Sequence, residues 1–163
     1  MDDNDFDKAM HAGSWAAWQA TIATKIAAYG QMLIGVFNSP DDEPSSPGFT
    51  YSIGLKPIFG YEIIVFGLPY DFAGGFLNEL GDRIRAGEKF GPDSIVKDLA
   101  NLPLLLKLAD ERARGYVCQA DRYYEENVPT LQLVLPDKNG TFPGSPGYDT
   151  KYMSVRQPLL YNP

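Results

Sequence analysis

The chain has 163 residues, a length typical of one domain with one hydrophobic core. Its formal net charge of -7, with no local cluster of Lys and Arg, argues against a nucleic acid partner, because the chain would repel a phosphate backbone. The hydrophobic fraction of 44% and the aromatic fraction of 13% are typical of a globular chain and argue against disorder.

The location of the protein is predicted from what its sequence lacks. The apolar stretches at 63–68 and 102–106 are far shorter than the roughly 20 residues that cross a bilayer, so no membrane partner is expected. The acidic start lacks the basic and apolar regions of a secretory signal, and the single Cys118 cannot form an intramolecular disulfide. We therefore expect a cytoplasmic protein with a mobile acidic start at 1–13 and one domain over 14–163.

The first predicted element is an amphipathic helix. Five apolar side chains recur at spacings of three and four: Trp15, Trp18, Ile22, Ile26 and Tyr29. Ser14 is suited to cap the start of this helix, and Gly30 is suited to end it. A strand is predicted at 32–37, followed by an exposed loop that contains Pro40, Pro44 and Pro47.

Two neighbouring strands come next. Residues 49–55 alternate large and small side chains, which predicts a half-buried strand with Phe49, Tyr51 and Ile53 on one face and Thr50 and Ser52 on the other. Its Gly54 marks a turn or a close approach of another segment. The segment 62–68, with its continuous apolar run at 63–66, predicts a strand covered on both faces.

A second helix is predicted at 71–86 and ends at Gly87. Its proposed buried stripe has a spacing of four and consists of Phe72, Phe76, Leu80 and Ile84. Gly74 and Gly75 lower the helix propensity by about 1 kcal/mol each relative to Ala. We expect them to admit a close approach of another backbone.

The second half of the chain predicts a strand, a short helix and a hairpin. Residues 104–108 favour a strand, although 93–96 could open a helix instead. Helical spacing recurs over 116–124, with Asn127 available near the end. The alternating segment 130–135 and the Asn139-Gly140 turn predict a hairpin, followed from about residue 144 by an irregular tail. The resulting prediction is a single α+β domain with an antiparallel or mixed sheet covered by helices.

In the order of these segments the chain resembles a family, catalogued as domain of unknown function 4262, over roughly 22–160. Four stretches carry the resemblance: Phe49-Thr50-Tyr51-Ser52-Ile53-Gly54-Leu55, the strand from Glu62 to Leu68, Leu77-Asn78 with Gly87, and Gln132 to Pro143. The family commonly has a His-Gly-Trp-like entry to its first strand and a proline before the strand glutamate. This chain has Tyr29-Gly30-Gln31 and Tyr61-Glu62 at those places, so a ligand role of that His or Trp in relatives would not carry over. The resemblance implies no reaction.

Most common catalytic and metal-binding signatures are missing. His11, the single histidine, precedes the first helix and is expected to be solvated, so a Ser-His-Asp or Cys-His arrangement is not supported. Cys118 is interpreted as a small packing residue, with a reactive thiol as the alternative. The sequence at 137–140 resembles a fragment of a calcium loop but lacks the later acidic ligands, and no phosphate-binding glycine loop occurs. No metal and no cofactor is predicted.

The polar residues of the family-like segments are the candidate ligand-binding residues. They are Tyr51, Ser52, Glu62, Asn78, Gln132 and Asp137. Polar groups embedded in apolar elements either orient a ligand in a pocket or form the hydrogen-bonded minority of a core. Glu62 is the best candidate for a buried acid or base; the alternative is a structural residue bonded to the backbone, to Arg83 or to Arg85.

Three functions remain open from the sequence. The first is a non-catalytic binding module for a small polar or aromatic ligand, with nucleotide-like compounds included, or for a protein surface, because aromatics are abundant and no complete catalytic set is present. The second is a metal-independent hydrolase or transferase that uses Glu62 or Asp137 with a tyrosine. The third is an acidic inhibitor or immunity-type protein that binds a basic partner. The sequence does not predict the oligomeric state.

Overall fold

The computed structural model describes residues 14–38, 47–151 and 156–163. The predicted mobile start at 1–13, with His11, and the prolines Pro40 and Pro44 lie outside these ranges. Among the described residues, no helix is long and apolar enough to cross a membrane.

The described chain folds into helices and one six-stranded sheet. The helices are α1 (Trp15–Tyr29), α2 (Lys56–Phe59), α3 (Tyr70–Arg85) and α4 (Cys118–Tyr124), with a 3-10 helix at Glu111–Gly115. The strands are β1 (Met32–Val36), β2 (Phe49–Ile53), β3 (Glu62–Phe66), β4 (Ile95–Val96), β5 (Leu104–Leu108) and β6 (Thr130–Val134).

The strands form a mixed sheet in the order β1-β2-β3-β6-β5-β4. Strands β3 and β6 are parallel, with Ile63 opposite Leu131, and the other neighbouring pairs are antiparallel. The predicted α+β class with a mixed sheet is therefore confirmed.

Both faces of the sheet are covered, and each has its own apolar core. On one face α3 packs through Leu77 and Leu80 against side chains such as Ile63 and Leu131. On the other face Ile22 of α1, the segment around Val117 and the buried Leu160 of the tail pack on the side chains of Tyr51, Ile53 and Phe66. Two covered faces explain why β3 is a continuous apolar run, as predicted.

The predicted alternation of β2 is confirmed, but the strand is not half-buried. Phe49, Tyr51 and Ile53 share the core on the α1 side. Thr50 and Ser52, on the opposite face, are both 0% exposed because α3 covers that face. The small polar side chains indicated a solvent-facing surface, but they lie in a second interface.

The buried face of α3 differs from the predicted stripe. Phe72 is 59% exposed, whereas Leu80 and Ile84 are buried together with Ala73 and Leu77. Helical residues three and four apart share a face, and a strict spacing of four drifts away from it. The close approach expected at Gly74 and Gly75 is also wrong, since the nearest atom to a Cβ at Gly74 would be 3.7 Å away and a Cβ at Gly75 would have none within 4 Å.

In the second half of the chain the predicted strand at 104–108 is confirmed, but the segments around it differ from the prediction. Residues Ile95–Val96 form a short edge strand rather than a helix start, and the 3-10 helix before α4 was not predicted. The turn at 137–140 forms, with the Gly140 N–H donating to the Asp137 carbonyl at 3.0 Å. The predicted hairpin is wrong, because the partners of β6 are β3 and β5 and no strand follows it in the described chain.

The end of the tail packs on its own domain. Leu160 is 1% exposed, and the Gln157 side chain donates to the Leu135 carbonyl and accepts from the Leu135 N–H. The amide of Gln132 also bonds the tail, donating to the Pro158 carbonyl and accepting from the Leu160 N–H. Side chains therefore provide partners for the backbone groups of this irregular segment.

Candidate functional site

Glu62, the best buried acid in the sequence, lies at the centre of a closed hydrogen-bond cluster. Its Oε1 accepts from the Ser52 hydroxyl at 2.8 Å and from the Leu55 N–H at 3.1 Å. Its Oε2 accepts from the N–H groups of Gly54 and Lys56, both at 3.0 Å, and from the Tyr124 hydroxyl at 2.6 Å. Five donors thus converge on one carboxyl group.

This cluster forms where β2 runs into α2. Three successive backbone N–H groups, at 54, 55 and 56, form a concave anion site of the kind found at helix starts, and the Glu62 side chain fills it. Burial raises the pKa of the Glu62 carboxyl, and the hydrogen bonds from Tyr124, Lys56, Ser52 and Gly54 oppose that rise.

The Glu62 cluster suits a structural role better than a catalytic one. Ser52 and Glu62 are both 0% exposed, so no substrate reaches them in this conformation. Of the two interpretations left open, the contacts of Glu62 match the backbone-bonded one, with neither Arg83 nor Arg85 as partner. Arg83 instead bonds Glu79 and two backbone carbonyls, and Arg85 bonds Asp82.

Gly54 connects this cluster to the turn between α1 and β1. Its φ is +125°, and a Cβ there would lie 3.0 Å from both the Gln31 Cα and the Gly30 carbonyl oxygen. The close approach predicted at Gly54 is confirmed. The bond from its N–H to Glu62 therefore helps to fix the position of the turn that carries Gln31.

A cavity, which we call the α1–α3 cavity, lies at the end of α1 and has a volume of about 530 Å³. This volume falls in the range of small-molecule sites. The lining residues are Lys25, Tyr29, Gln31, Met32, Leu33, Tyr70, Asn78, Asp82 and Arg85. Amide, cationic and aromatic groups thus meet at one concavity.

Missing Cβ atoms make room for three of these lining side chains. A Cβ at Gly81 would lie 2.9 Å from the Gln31 Nε2, and one at Gly35 would lie 2.7 Å from the Tyr70 ring. At Gly30 a Cβ would lie 2.7, 2.7 and 2.8 Å from Cζ, Nη1 and Nε of Arg85, so the guanidinium lies flat over the glycine. Gly30 also ends α1 with a φ of +86°. Gly81 lies inside α3, where no positive φ is required. The close contact with the Gln31 side chain therefore explains why this position is a glycine.

Gln31 is the most buried polar group of the cavity, at 4% exposed. Its Nε2 donates to the Leu77 carbonyl at 3.0 Å and to the Asn78 Oδ1 at 3.1 Å. Its Oε1 is buried and accepts no hydrogen bond from any residue that the structure describes. An unpaired buried acceptor is costly, typically by about 1–3 kcal/mol.

The lining of the cavity carries more positive than negative charge. Lys25 and Arg85 contribute two cations and Asp82 one carboxylate, which bonds the Arg85 Nη2 at 2.8 Å. The Lys25 ammonium lies 5.4 Å from the centre of the Tyr29 ring and forms no ion pair with the described residues. A local positive charge on a chain of net charge -7 attracts anions to this place.

The six residues predicted from the sequence do not converge on one concavity. Ser52 and Glu62 form the closed cluster described above, and Asn78 lines the α1–α3 cavity. The hydroxyl of Tyr51 accepts from the Gln119 N–H on the α4 side of the sheet, and burial raises its pKa.

Gln132 and Asp137 support the backbone elsewhere in the fold. Gln132 holds the tail, as described above. The Asp137 carboxylate accepts from the N–H groups of Thr141, Asn139 and Asp149. These bonds, the Thr141 one foremost, lower its pKa. The two residues therefore provide partners for irregular backbone.

Sequence reasoning missed most of the cavity. From the sequence Lys25 had no predicted role and Arg85 was considered only as a partner of Glu62, because the meeting of these two residues depends on how α1 and α3 pack. A partial signal was present at Tyr29-Gly30-Gln31, where the chain departs from the common family pattern, because Tyr29 and Gln31 both line the cavity.

Cys118, interpreted as a small packing residue, is exposed at the start of α4. Its thiol lies 3.4 Å from the Arg114 carbonyl oxygen, as a donor. No group of three or more His, Cys, Asp or Glu side chains placed to hold a metal occurs in the described part of the chain.

Comparison with known proteins identifies the family. The model of the domain of unknown function DUF4262 matches residues 25–149, which is most of the chain. The chain belongs to this family. The DUF4262 match includes β1, β2, β3 and β6 together with the whole Glu62 cluster and every residue that lines the α1–α3 cavity. Searches of curated proteins and of solved structures found no match to the chain.

Proposed function

We propose that the protein is a binding module that holds a small polar ligand with an aromatic part in the α1–α3 cavity. The observation that carries the proposal is a cavity of about 530 Å³ in which amide, cationic and aromatic side chains meet. The amide of Asn78 supplies directional polar contacts, and Tyr29 and Tyr70 supply aromatic surface.

The enzyme hypothesis receives less support from the same geometry. Glu62 is 0% exposed and accepts five hydrogen bonds, and Asp137 is occupied by three backbone N–H groups. A general acid or base has to come within hydrogen-bond reach of its substrate. The third hypothesis, an acidic partner for a basic protein, is supported by net charge alone.

The proposal is tested by a thermal-shift screen with a library of polar aromatic metabolites, nucleotides included. We expect at least one compound to raise the melting temperature of the wild type. We expect Asn78→Leu to weaken the effect of that compound and Asn127→Leu, an exposed control, to leave it unchanged. A screen without a stabilising compound, or with compounds that act equally on both variants, would contradict a binding role for this cavity.

A further inference from the structure

We infer that the ligand of the α1–α3 cavity is an anion, a carboxylate or a phosphate, attached to a planar ring. This inference rests on the proposed function and adds the charge and shape of the ligand. Three features of the lining carry it: two cations, a flat guanidinium and two exposed tyrosine rings.

The first feature is uncompensated positive charge. The carboxylate of Asp82 is itself largely exposed and uses one Nη2 contact of Arg85, which has five N–H donors in total. Lys25 has no ion-pair partner among the described residues, and its ammonium carries three donors. The two cations therefore keep free donors at the cavity, as an oxyanion requires.

The second feature is the fixed orientation of Arg85. Its guanidinium lies face-on over Gly30, where the carbonyl end of α1 favours a cation. A guanidinium held in one plane loses less conformational freedom on binding, and its fork matches a carboxylate or a phosphate. The helix end thus provides a structural reason for Arg85 to be here and also orients it for an anion.

The third feature is aromatic surface without an aromatic partner in the cavity. Tyr29 is 68% exposed and Tyr70 is 51% exposed, so both residues keep uncovered surface although they line the cavity. The Tyr70 ring makes an edge-to-face contact with the Phe37 ring, with 6.2 Å between the ring centres and an angle of 85° between the ring planes. Such rings gain stabilisation from an added planar group.

The inference is tested by calorimetric titration of the full chain with two matched pairs of probes, benzoate with benzamide and phenyl phosphate with phenol. We expect an anionic probe to bind about tenfold or more tightly than its neutral counterpart, and added salt to reduce the difference. Benzoate and phenyl phosphate distinguish a carboxylate from a phosphate ligand. Acetate and inorganic phosphate, which lack the ring, should bind more weakly than both.

Substitution of the two cations tests whether the anion preference arises in the α1–α3 cavity. Arg85→Gln and Lys25→Met should each reduce the affinity for the preferred anion by about tenfold while leaving the affinity for its neutral counterpart unchanged. Lys89→Met, at an exposed lysine outside the cavity, is the matched control and should change neither affinity.

Two results would overturn this inference alone. One is equal binding of anionic and neutral probes, and the other is an anion preference that survives both cavity variants. If no probe binds, the assigned ligand class is wrong. The proposed function itself fails only if the wider thermal-shift screen also yields no compound sensitive to Asn78→Leu.

Discussion

Glu62 is a buried carboxyl group held without a cationic partner among the described residues. The nearby ammonium of Lys56 pairs instead with Glu126 at 2.6 Å, and the five donors that reach the carboxyl oxygens of Glu62 are all neutral groups. The sequence placed a glutamate at the start of an apolar strand. It did not predict the three N–H groups at 54–56, because their convergence depends on the positive φ of Gly54 and on the turn into α2.

Replacement of this carboxyl group by an amide should destabilise the fold. In Glu62→Gln the new NH2 group faces backbone donors at either oxygen position, which leaves at least one N–H unpaired. We expect a loss of about 1–3 kcal/mol in the free energy of unfolding, measured by urea denaturation. Glu88→Gln, the same change at an exposed glutamate, should stay within about 0.5 kcal/mol of wild type. Equal effects of the two variants would mean that the cluster contributes nothing to stability.

Asp137 gives a pH dependence with a defined sign. Its pKa is lowered in the folded chain by three backbone N–H bonds, so its contribution to stability is present above the ordinary aspartate pKa. That contribution is lost as the pH falls through the lowered pKa of the folded state. We therefore expect hydrogen exchange of the Thr141 and Asp149 amides, corrected for intrinsic rates, to become less protected over that acidic range.

The Asp137→Asn variant provides the control for this pH dependence. Its Thr141 and Asp149 amides should already be less protected at neutral pH and should lack the acidic transition. The Gly67 amide, which donates to the Gly48 carbonyl, serves as an internal reference. Unchanged protection of Thr141 in wild type across the acidic range would show that the carboxylate charge does not hold this turn.

At the scale of elements, local patterns predicted α1, β2, α3 and β6 because each carries its own periodicity, and β3 because it contains a continuous apolar run. The hairpin after β6 failed for a different reason. A turn sequence specifies local geometry, whereas the partners of β6 are β3 and β5, which are distant in the sequence. The exposure of Phe72 likewise depends on which side of α3 meets the sheet, and several apolar faces of that helix were compatible with the sequence.

Substitutions at two glycines of α3 distinguish the effect of helix propensity on stability from the effect of packing. A Cβ at Gly75 would have no atom within 4 Å, so Gly75→Ala should stabilise the protein by about 1 kcal/mol through propensity alone. Gly81→Ala gains the same propensity but places its Cβ 2.9 Å from the hydrogen-bonded Gln31 amide. We expect this variant to gain nothing or to lose stability. Thermal or urea unfolding measures both, and an equal gain in both variants would contradict the tight fit of Gln31 against α3.

At the scale of the whole molecule, the sheet separates the buried polar residues into distinct neighbourhoods. Tyr51 belongs to the α1 side of the sheet, whereas the α1–α3 cavity is lined by residues from the end of α1, from β1 and from α3. The sequence identified six candidate polar residues but not their separation, since that requires the strand order, and of the cavity residues it identified only Asn78. Its net charge of -7 likewise did not indicate that Lys25 and Arg85 meet at one concavity.

Amide NMR of the full chain, titrated with the compound that most raises the melting temperature in the thermal-shift screen, asks directly whether the α1–α3 cavity is a ligand site. We expect saturable shifts concentrated at 25–33 and 78–85, the segments that carry the cavity cations and amides. Shifts centred instead on another concavity, such as the one lined by Phe76, Leu102 and Pro136, or no saturable shifts at all, would contradict a ligand site between α1 and α3.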